Sequence, residues 1–198
     1  MVVRTNSDRS SKSGKGRKSG KCSKIRVRNS KSAKSTRILS KSIKEVTLPV
    51  EFKEDCDECI IKNVAITVGI NFPFGGSGRT SMDIESPAGP NAKSAKLLDV
   101  DLDESESQLV SKNKITFDDD AAGALDPNDI FQNIDADGNI RAGTYLSEGN
   151  PKLGTFVGTG LDDDDPVEGN WTFVVENVSC GNEGTIESVE LDITCESE

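Results

Sequence analysis

Two runs of alternating apolar and polar residues near the C-terminus constrain this chain most. Trp171, Phe173 and Val175 alternate with Thr172, Val174 and Glu176. Further on, Ile186, Val189, Leu191 and Ile193 are separated mostly by Glu187, Ser188, Glu190 and Asp192. Successive side chains of a strand point to opposite faces, so this period describes two strands, each with one buried and one wet face. Gly181 and Gly184 bracket the polar segment between them, and the two runs are expected to close as a β-hairpin. Trp171, Phe173, Val175, Ile186 and Leu191 are then core positions.

Weaker versions of the pattern recur upstream. Residues 46–52 read as an edge strand, because Pro49 has no N–H for an inner ladder. Residues 60–70 place Val64, Ile66, Val68 and Ile70 on one face and read as a central strand. Residues 72–78 read as a loop, and residues 80–85, Leu97-Leu98 and 115–117 as further strands. Residues 121–152, rich in Asp, Asn, Gly and Pro, read as a long ordered loop. No stretch carries a helical period. The expected fold is all-β, an antiparallel sandwich.

Charge divides the chain. Residues 1–44 hold 15 of its 24 Lys and Arg and one of its 34 Asp and Glu, a local net of +14. Residues 45–198 hold the other nine bases and 33 acids, a net of −24. The first segment is mostly Ser, Lys, Arg and Gly with little to bury, so it is expected to be a disordered tail. The second is long enough for one domain with a core. Bases dispersed among Ser suit polyanions, or contact with the chain's own acidic domain. With no interleaved aromatic residue to stack on bases, sequence-specific nucleic-acid binding is not expected. No apolar run is long enough to cross a bilayer.

Five cysteines occur, Cys22 in the tail and Cys56, Cys59, Cys180 and Cys195 in the domain. Cys56-x-x-Cys59 lacks the histidines or second Cys-x-x-Cys of a zinc site. Disulfides suit a secreted chain. Cys180 and Cys195 lie at opposite ends of the last strand, roughly 30 Å apart at ~3.3 Å per residue. A disulfide needs Cα atoms within about 7 Å. The expected bridge therefore runs from Cys56 or Cys59 to Cys195, leaving Cys180 unpaired.

Three stretches, in order, carry a family likeness: Met82-Asp83-Ile84-Glu85-Ser86-Pro87-Ala88-Gly89, Ile115-Thr116-Phe117-Asp118-Asp119-Asp120-Ala121, and Gly169-Asn170-Trp171-Thr172-Phe173 followed by Gly184-Thr185-Ile186. They resemble the P domain (P/Homo B), which follows the catalytic domain in kexin- and furin-like proprotein convertases and in many bacterial subtilisin-like proteases. The resemblance implies a jelly-roll sandwich, an extracellular setting, and a non-catalytic role beside a serine endopeptidase. Met1-Val2-Val3-Arg4-Thr5-Asn6 does not lead into the apolar run of a secretory signal. The chain also departs from the family pattern, with Phe72-Pro73-Phe74 and Gly78-Arg79-Thr80 leading into the Ser-Pro strand. A family metal site that uses the aspartate of that segment is therefore not carried over.

With no histidine, a Ser-His-Asp or Cys-His arrangement is impossible within this chain, and no carboxylate pair stands out from the many. Calcium is the cofactor that the acidic loops suit, because it takes six to eight oxygens from carboxylates and carbonyls. Candidate ligands are Asp118, Asp119, Asp120, Asp135, Asp137, Asn139, Asp162 and Asp163. Asp135-x-Asp137-x-Asn139 opens like an EF-hand loop, but its glycine comes at the fourth position and Leu146 stands at the twelfth. An ordinary Asp-Gly turn is the simpler reading there. Asn170-Trp171-Thr172 and Asn177-Val178-Ser179 are glycosylation triplets that matter only in a secretory pathway. Two functions follow: an accessory sandwich docking on a subtilisin-like protease domain, or a free-standing extracellular module whose calcium-ordered loops bind carbohydrate or protein.

Overall fold

The computed structural model describes residues 25–51, 60–73, 79–101, 108–110, 112–149, 151–158, 167–178 and 183–196. Among them are ten strands: β1 (Ile25–Ile38), β2 (Ser42–Val50), β3 (Ile60–Pro73), β4 (Arg79–Glu85), β5 (Ser94–Asp101), β6 (Gln108–Leu109), β7 (Ile115–Asp118), β8 (Gly143–Tyr145), β9 (Gly169–Asn177) and β10 (Gly184–Glu196). Short 3-10 turns at Pro127–Asp129 and Leu153–Phe156 are the only helical pieces among the described residues.

The strands form two sheets, β1-β10-β3-β7-β8 and β2-β9-β4-β5, with β6 added to the end of β3. First and last strands pair in one sheet, second and penultimate in the other. That interleaving is the jelly-roll order, so the all-β sandwich expected from alternation is present. The core lies between the sheets, where Val64, Ile66, Val68 and Ile70 of β3 meet Leu48 of β2, Ile84 of β4 and Phe173 of β9, all buried. Trp171, 1% exposed, donates its indole N–H to the Val167 carbonyl at 2.9 Å. The Phe156 ring meets it edge-on at 4.9 Å between centroids. The hydrogen bond satisfies the one polar atom that burial of the indole would otherwise strand.

The expected β9–β10 hairpin is not formed. β9 pairs with β2 and β4, while β10 pairs with β1 and β3 in the opposite sheet. Both strands bury one face, so their alternation is equally satisfied by pairing side by side or by lying across the core. Residues 178–183 between them are long enough to bridge the ~10 Å between stacked sheets.

Part of the segment expected to be a disordered tail, residues 1–44, is folded. Residues 25–38 form β1 on the edge of one sheet, and residues 42–50 form β2 on the edge of the other. The reason is a distant partner. Along β1, Arg28 stands opposite Asp192, and Arg37 bonds Glu183. A strand of Ser, Lys and Arg gains little from burial, yet beside the acidic last strand its backbone groups find partners. Residues 1–24 lie outside the described residues.

Smaller differences have local causes. Phe72 and Pro73 end β3 rather than opening a loop, because Phe72 pairs with Leu109 and is fully buried. Within residues 121–152, β8 pairs in parallel with β7. A Cβ at Gly184 would collide with the Asn71 carbonyl oxygen and the Phe72 ring, so β10 requires a glycine at its start.

Candidate functional site

At the end of β7 the aspartates of Phe117-Asp118-Asp119-Asp120 work mainly as hydrogen-bond acceptors. Asp119 Oδ1 accepts from the Ser147 backbone N–H at 2.7 Å and from Ser147 Oγ at 2.8 Å, and Oδ2 accepts from the Gly154 N–H at 3.3 Å. Ser147, fully buried, accepts in turn from the Leu153 N–H at 3.1 Å. One carboxylate thereby ties residues 147 and 154 to the end of β7, and sets up the turn that carries Phe156 to Trp171. Asp118 Oδ1 accepts from Asn63 Nδ2 and from the Asp120 N–H, each at 3.1 Å. Asp120 is exposed.

The second predicted cluster is a tight turn. The Asp135 N–H donates to the Asn139 carbonyl at 2.7 Å, and Gly138 sits at φ +80°, the conformation glycine adopts without steric cost. Asp135 Oδ1 accepts from the N–H groups of Asp137 at 3.0 Å and Asn139 at 2.9 Å. These bonds, the Asn139 backbone N–H foremost, hold the Asp135 carboxyl below the usual carboxylate range. The Asp-Gly reading of this stretch matches the geometry.

Asp162 and Asp163 lie outside the described residues, as do Cys56, Cys59 and Cys180. Cys195 is fully buried at the end of β10, opposite Ile61 near the start of β3. Among the described residues, no three Cys, Asp or Glu side chains gather as a metal-holding group.

No pattern in the sequence points to a cleft of about 840 Å3 that lies at one end of the β2-β9-β4-β5 sheet. It lies where β4 turns into β5 beside the start of β9, and its lining includes Glu85, Ser86, Lys93, Glu168, Asn170 and Thr172. Two of the family-like stretches meet here. Gly169, at φ +125°, lies against Pro87, whose Cβ would stand 3.1 Å from a Cβ at position 169. The Ser86 Oγ accepts from the Lys93 N–H at 2.8 Å and closes the turn. Among the described residues, no aromatic side chain lines the cleft. Asn170 is exposed at its rim, whereas the other glycosylation triplet begins with Asn177, 1% exposed.

Further along the outer face of the same sheet, Asp99 accepts from Arg79 and, at 2.6 Å, from Lys96 Nζ. Arg79 above all holds its carboxyl down at about 2. The Glu148 Oε2 accepts from the Asp99 N–H at 2.6 Å, yet burial pushes the Glu148 carboxyl up. Burial raises Asp83 as well, against the opposing pull of Lys96. Glu45, Glu85 and Glu176 are exposed. Glu45 and Glu85 pair with Val174 and Thr172 of β9, beside Glu176, and these register positions extend the acidic face.

No helix among the described residues is long and apolar enough to cross a membrane. Compared with protein-family models and with curated proteins, the chain matches none.

Proposed function

We propose that this chain is a non-catalytic, P-domain-like jelly roll, accessory to a subtilisin- or kexin-like serine endopeptidase in an extracellular setting. The observation that carries the reading is positional. Each stretch that resembles the family does a specific job in a fold of the implied kind. Pro87 of the first packs on Gly169 of the third, and Asp119 of the second anchors the turn that brings Phe156 onto Trp171. Gly184 opens β10 where no side chain fits. With no histidine in the chain, proteolysis of the Ser-His-Asp type belongs to the partner. Calcium bound among the acidic loops is part of the same reading, supported by the −24 net charge of residues 45–198.

The test uses a subtilisin-like catalytic domain stripped of its own P domain. Adding this chain is expected to lengthen the half-life of peptidase activity at elevated temperature, saturably and at near-stoichiometric ratios. No complex in sedimentation and no change in half-life would remove the proposal. The second reading is a free-standing binding module, and the cleft beside Asn170 favours it. Its described lining, polar and without aromatic rings, suits a peptide better than a sugar, whose apolar face stacks on such rings.

A further inference from the structure

The chain holds two Asn-x-Ser/Thr triplets whose asparagines both lie on β9, and the fold gives the two opposite surroundings. Asn177, 1% exposed, ends the strand, and its side-chain amide donates to the Leu39 carbonyl at 3.2 Å. Asn170, near the start of the strand, is exposed. On one side it stands opposite Pro49 of the edge strand β2, which is exposed as well. On the other side it lies beyond the end of β4, whose pairing with β9 stops at Glu85 opposite Thr172. Side chains alternate along β9, with Trp171, Phe173, Val175 and Asn177 buried, so Asn170 and Thr172 belong to the outer face of the sheet. The asparagine and the hydroxyl that define the first triplet therefore share the wet face, and the second asparagine sits on the packed one.

We propose that Asn170 is an N-glycan acceptor, and that Asn177, despite its triplet, carries no sugar in the folded protein. This rests on the extracellular setting proposed above and not on pairing with a protease. In the transfer, the Asn170 amide nitrogen bonds to the anomeric carbon of an oligosaccharide carried on a lipid pyrophosphate, the donor of a host glycosyltransferase. The bond from that carbon to the pyrophosphate oxygen breaks, and the amide gives up one proton as the lipid pyrophosphate leaves. Trp171, the middle residue of the triplet, is held in the core by Val167 and Phe156, so transfer precedes folding. On the nascent chain both triplets are open, and folding then discriminates between them. A sugar on Asn170 projects from the outer face. A sugar on Asn177 has to enter the packed end of β9 and disturb the bond to Leu39, so chains modified there do not reach this fold. The glycan on Asn170 stands at the rim of the cleft and screens it. In the glycosylated chain a protein partner therefore docks on another face, which weighs against the cleft as a peptide site.

Expression of the full-length chain behind a secretory signal in a eukaryotic host tests it. In the folded fraction, peptide mapping after enzymatic release of the glycan is expected to find aspartate in place of Asn170 in most chains, with Asn177 unchanged. Asn170→Gln and Thr172→Ala should each abolish the glycan, and Thr172→Ser should keep it. All three should melt within a few degrees of the deglycosylated parent. A folded parent without sugar at Asn170, or with sugar at Asn177, would overturn the proposal. Because the host supplies the secretory route, that failure leaves the accessory reading standing. A chain glycosylated at Asn170 that forms no complex with the catalytic domain would lose the accessory reading and keep the acceptor.

Discussion

The side-chain amide of Asn177, the last residue of β9, donates to the carbonyl oxygen of Leu39 at 3.2 Å, joining residues 138 apart in sequence. Leu39 opens the three-residue corner between β1 and β2, and Ser42 Oγ donates to the same carbonyl at 2.6 Å. Lys41 closes that corner at φ +52°, a conformation that non-glycine residues adopt at a cost. The penultimate strand thus pins the place where the chain crosses from one sheet to the other. Replacing Asn177 with Ala is expected to cost about 1–3 kcal/mol, by removing a buried donor and leaving the corner carbonyl under-bonded. Thermal unfolding checks it: at about 2–4 °C per kcal/mol for a domain of this size, a shift under 1 °C would show that the corner holds without the amide.

Thr80 gives a prediction of opposite sign. Its hydroxyl is fully buried on β4 and has no hydrogen-bond partner among the described residues. Valine has nearly the same shape and no polar atom to desolvate. Thr80→Val is therefore expected to stabilise the fold by about 1 kcal/mol. An equilibrium urea titration should show a higher midpoint with an unchanged slope. A lower midpoint would mean that the hydroxyl is satisfied in solution.

Much of this architecture can be read from residues 60–198, because each long strand buries one face and alternation reports that directly. The pairing of those strands cannot. Trp171 and Ile186 would carry the same alternation whether β9 and β10 were neighbours or lay in opposite sheets. β1 was hidden for a different reason: Ser, Lys and Arg carry no burial signal, and what makes residues 25–38 a strand is the acidic β10, some 150 residues away. Asp118 and Asp119 were legible as special residues. Their role was not, since the donors at Ser147 and Gly154 come from a loop with no periodicity. The cleft needs three segments to converge, and no single one announces it.

The Asp119 hub predicts a loss without a metal. Asp119→Ala leaves the Ser147 and Gly154 N–H groups without their acceptor, and hydrogen bonds to a charged group contribute about 1.5–3 kcal/mol each. A drop of roughly 3 kcal/mol is expected in the presence of EDTA. Calcium binding is read separately, as an upward shift of the parent's melting temperature in millimolar CaCl2 that EDTA reverses. If Asp119→Ala destabilised the protein only in calcium, its role would be ligation and not loop anchoring.

Cys195 lies opposite Ile61 at the start of β3, two residues beyond Cys59 in sequence. Peptide mapping without reductant is expected to recover Cys195 joined to Cys59 or Cys56. Closing the loop to so distant a segment would stabilise the fold by about 2–4 kcal/mol. A Cys180–Cys195 peptide would contradict both this pairing and the position of Cys195 at the far end of β10.

The Arg79–Asp99 pair predicts how stability depends on pH. Asp99 titrates at about 2 in the folded protein, against about 3.9 for an unperturbed aspartate. The folded state therefore binds that proton more weakly than the unfolded chain. The resulting stabilisation is complete above about pH 4 and is lost as the pH falls toward 2. Glu148 and Asp83 act in the other sense. Burial raises both, so the folded state holds their protons more tightly, and acidification through the window between folded and unfolded values adds stability. The parent should consequently hold its melting temperature on mild acidification and lose it more steeply below pH 4. Arg79 is the largest cause of the Asp99 shift, with Lys96 a further partner. Its side chain is 58% exposed, which places the pair toward the weak end of such interactions. Arg79→Ala should therefore lower stability modestly at pH 7, and the difference from the parent should shrink toward zero by about pH 2. A parent-to-variant difference that stays constant from pH 7 to pH 2 would mean that Arg79 contributes packing, and that its charge does not set the titration of Asp99.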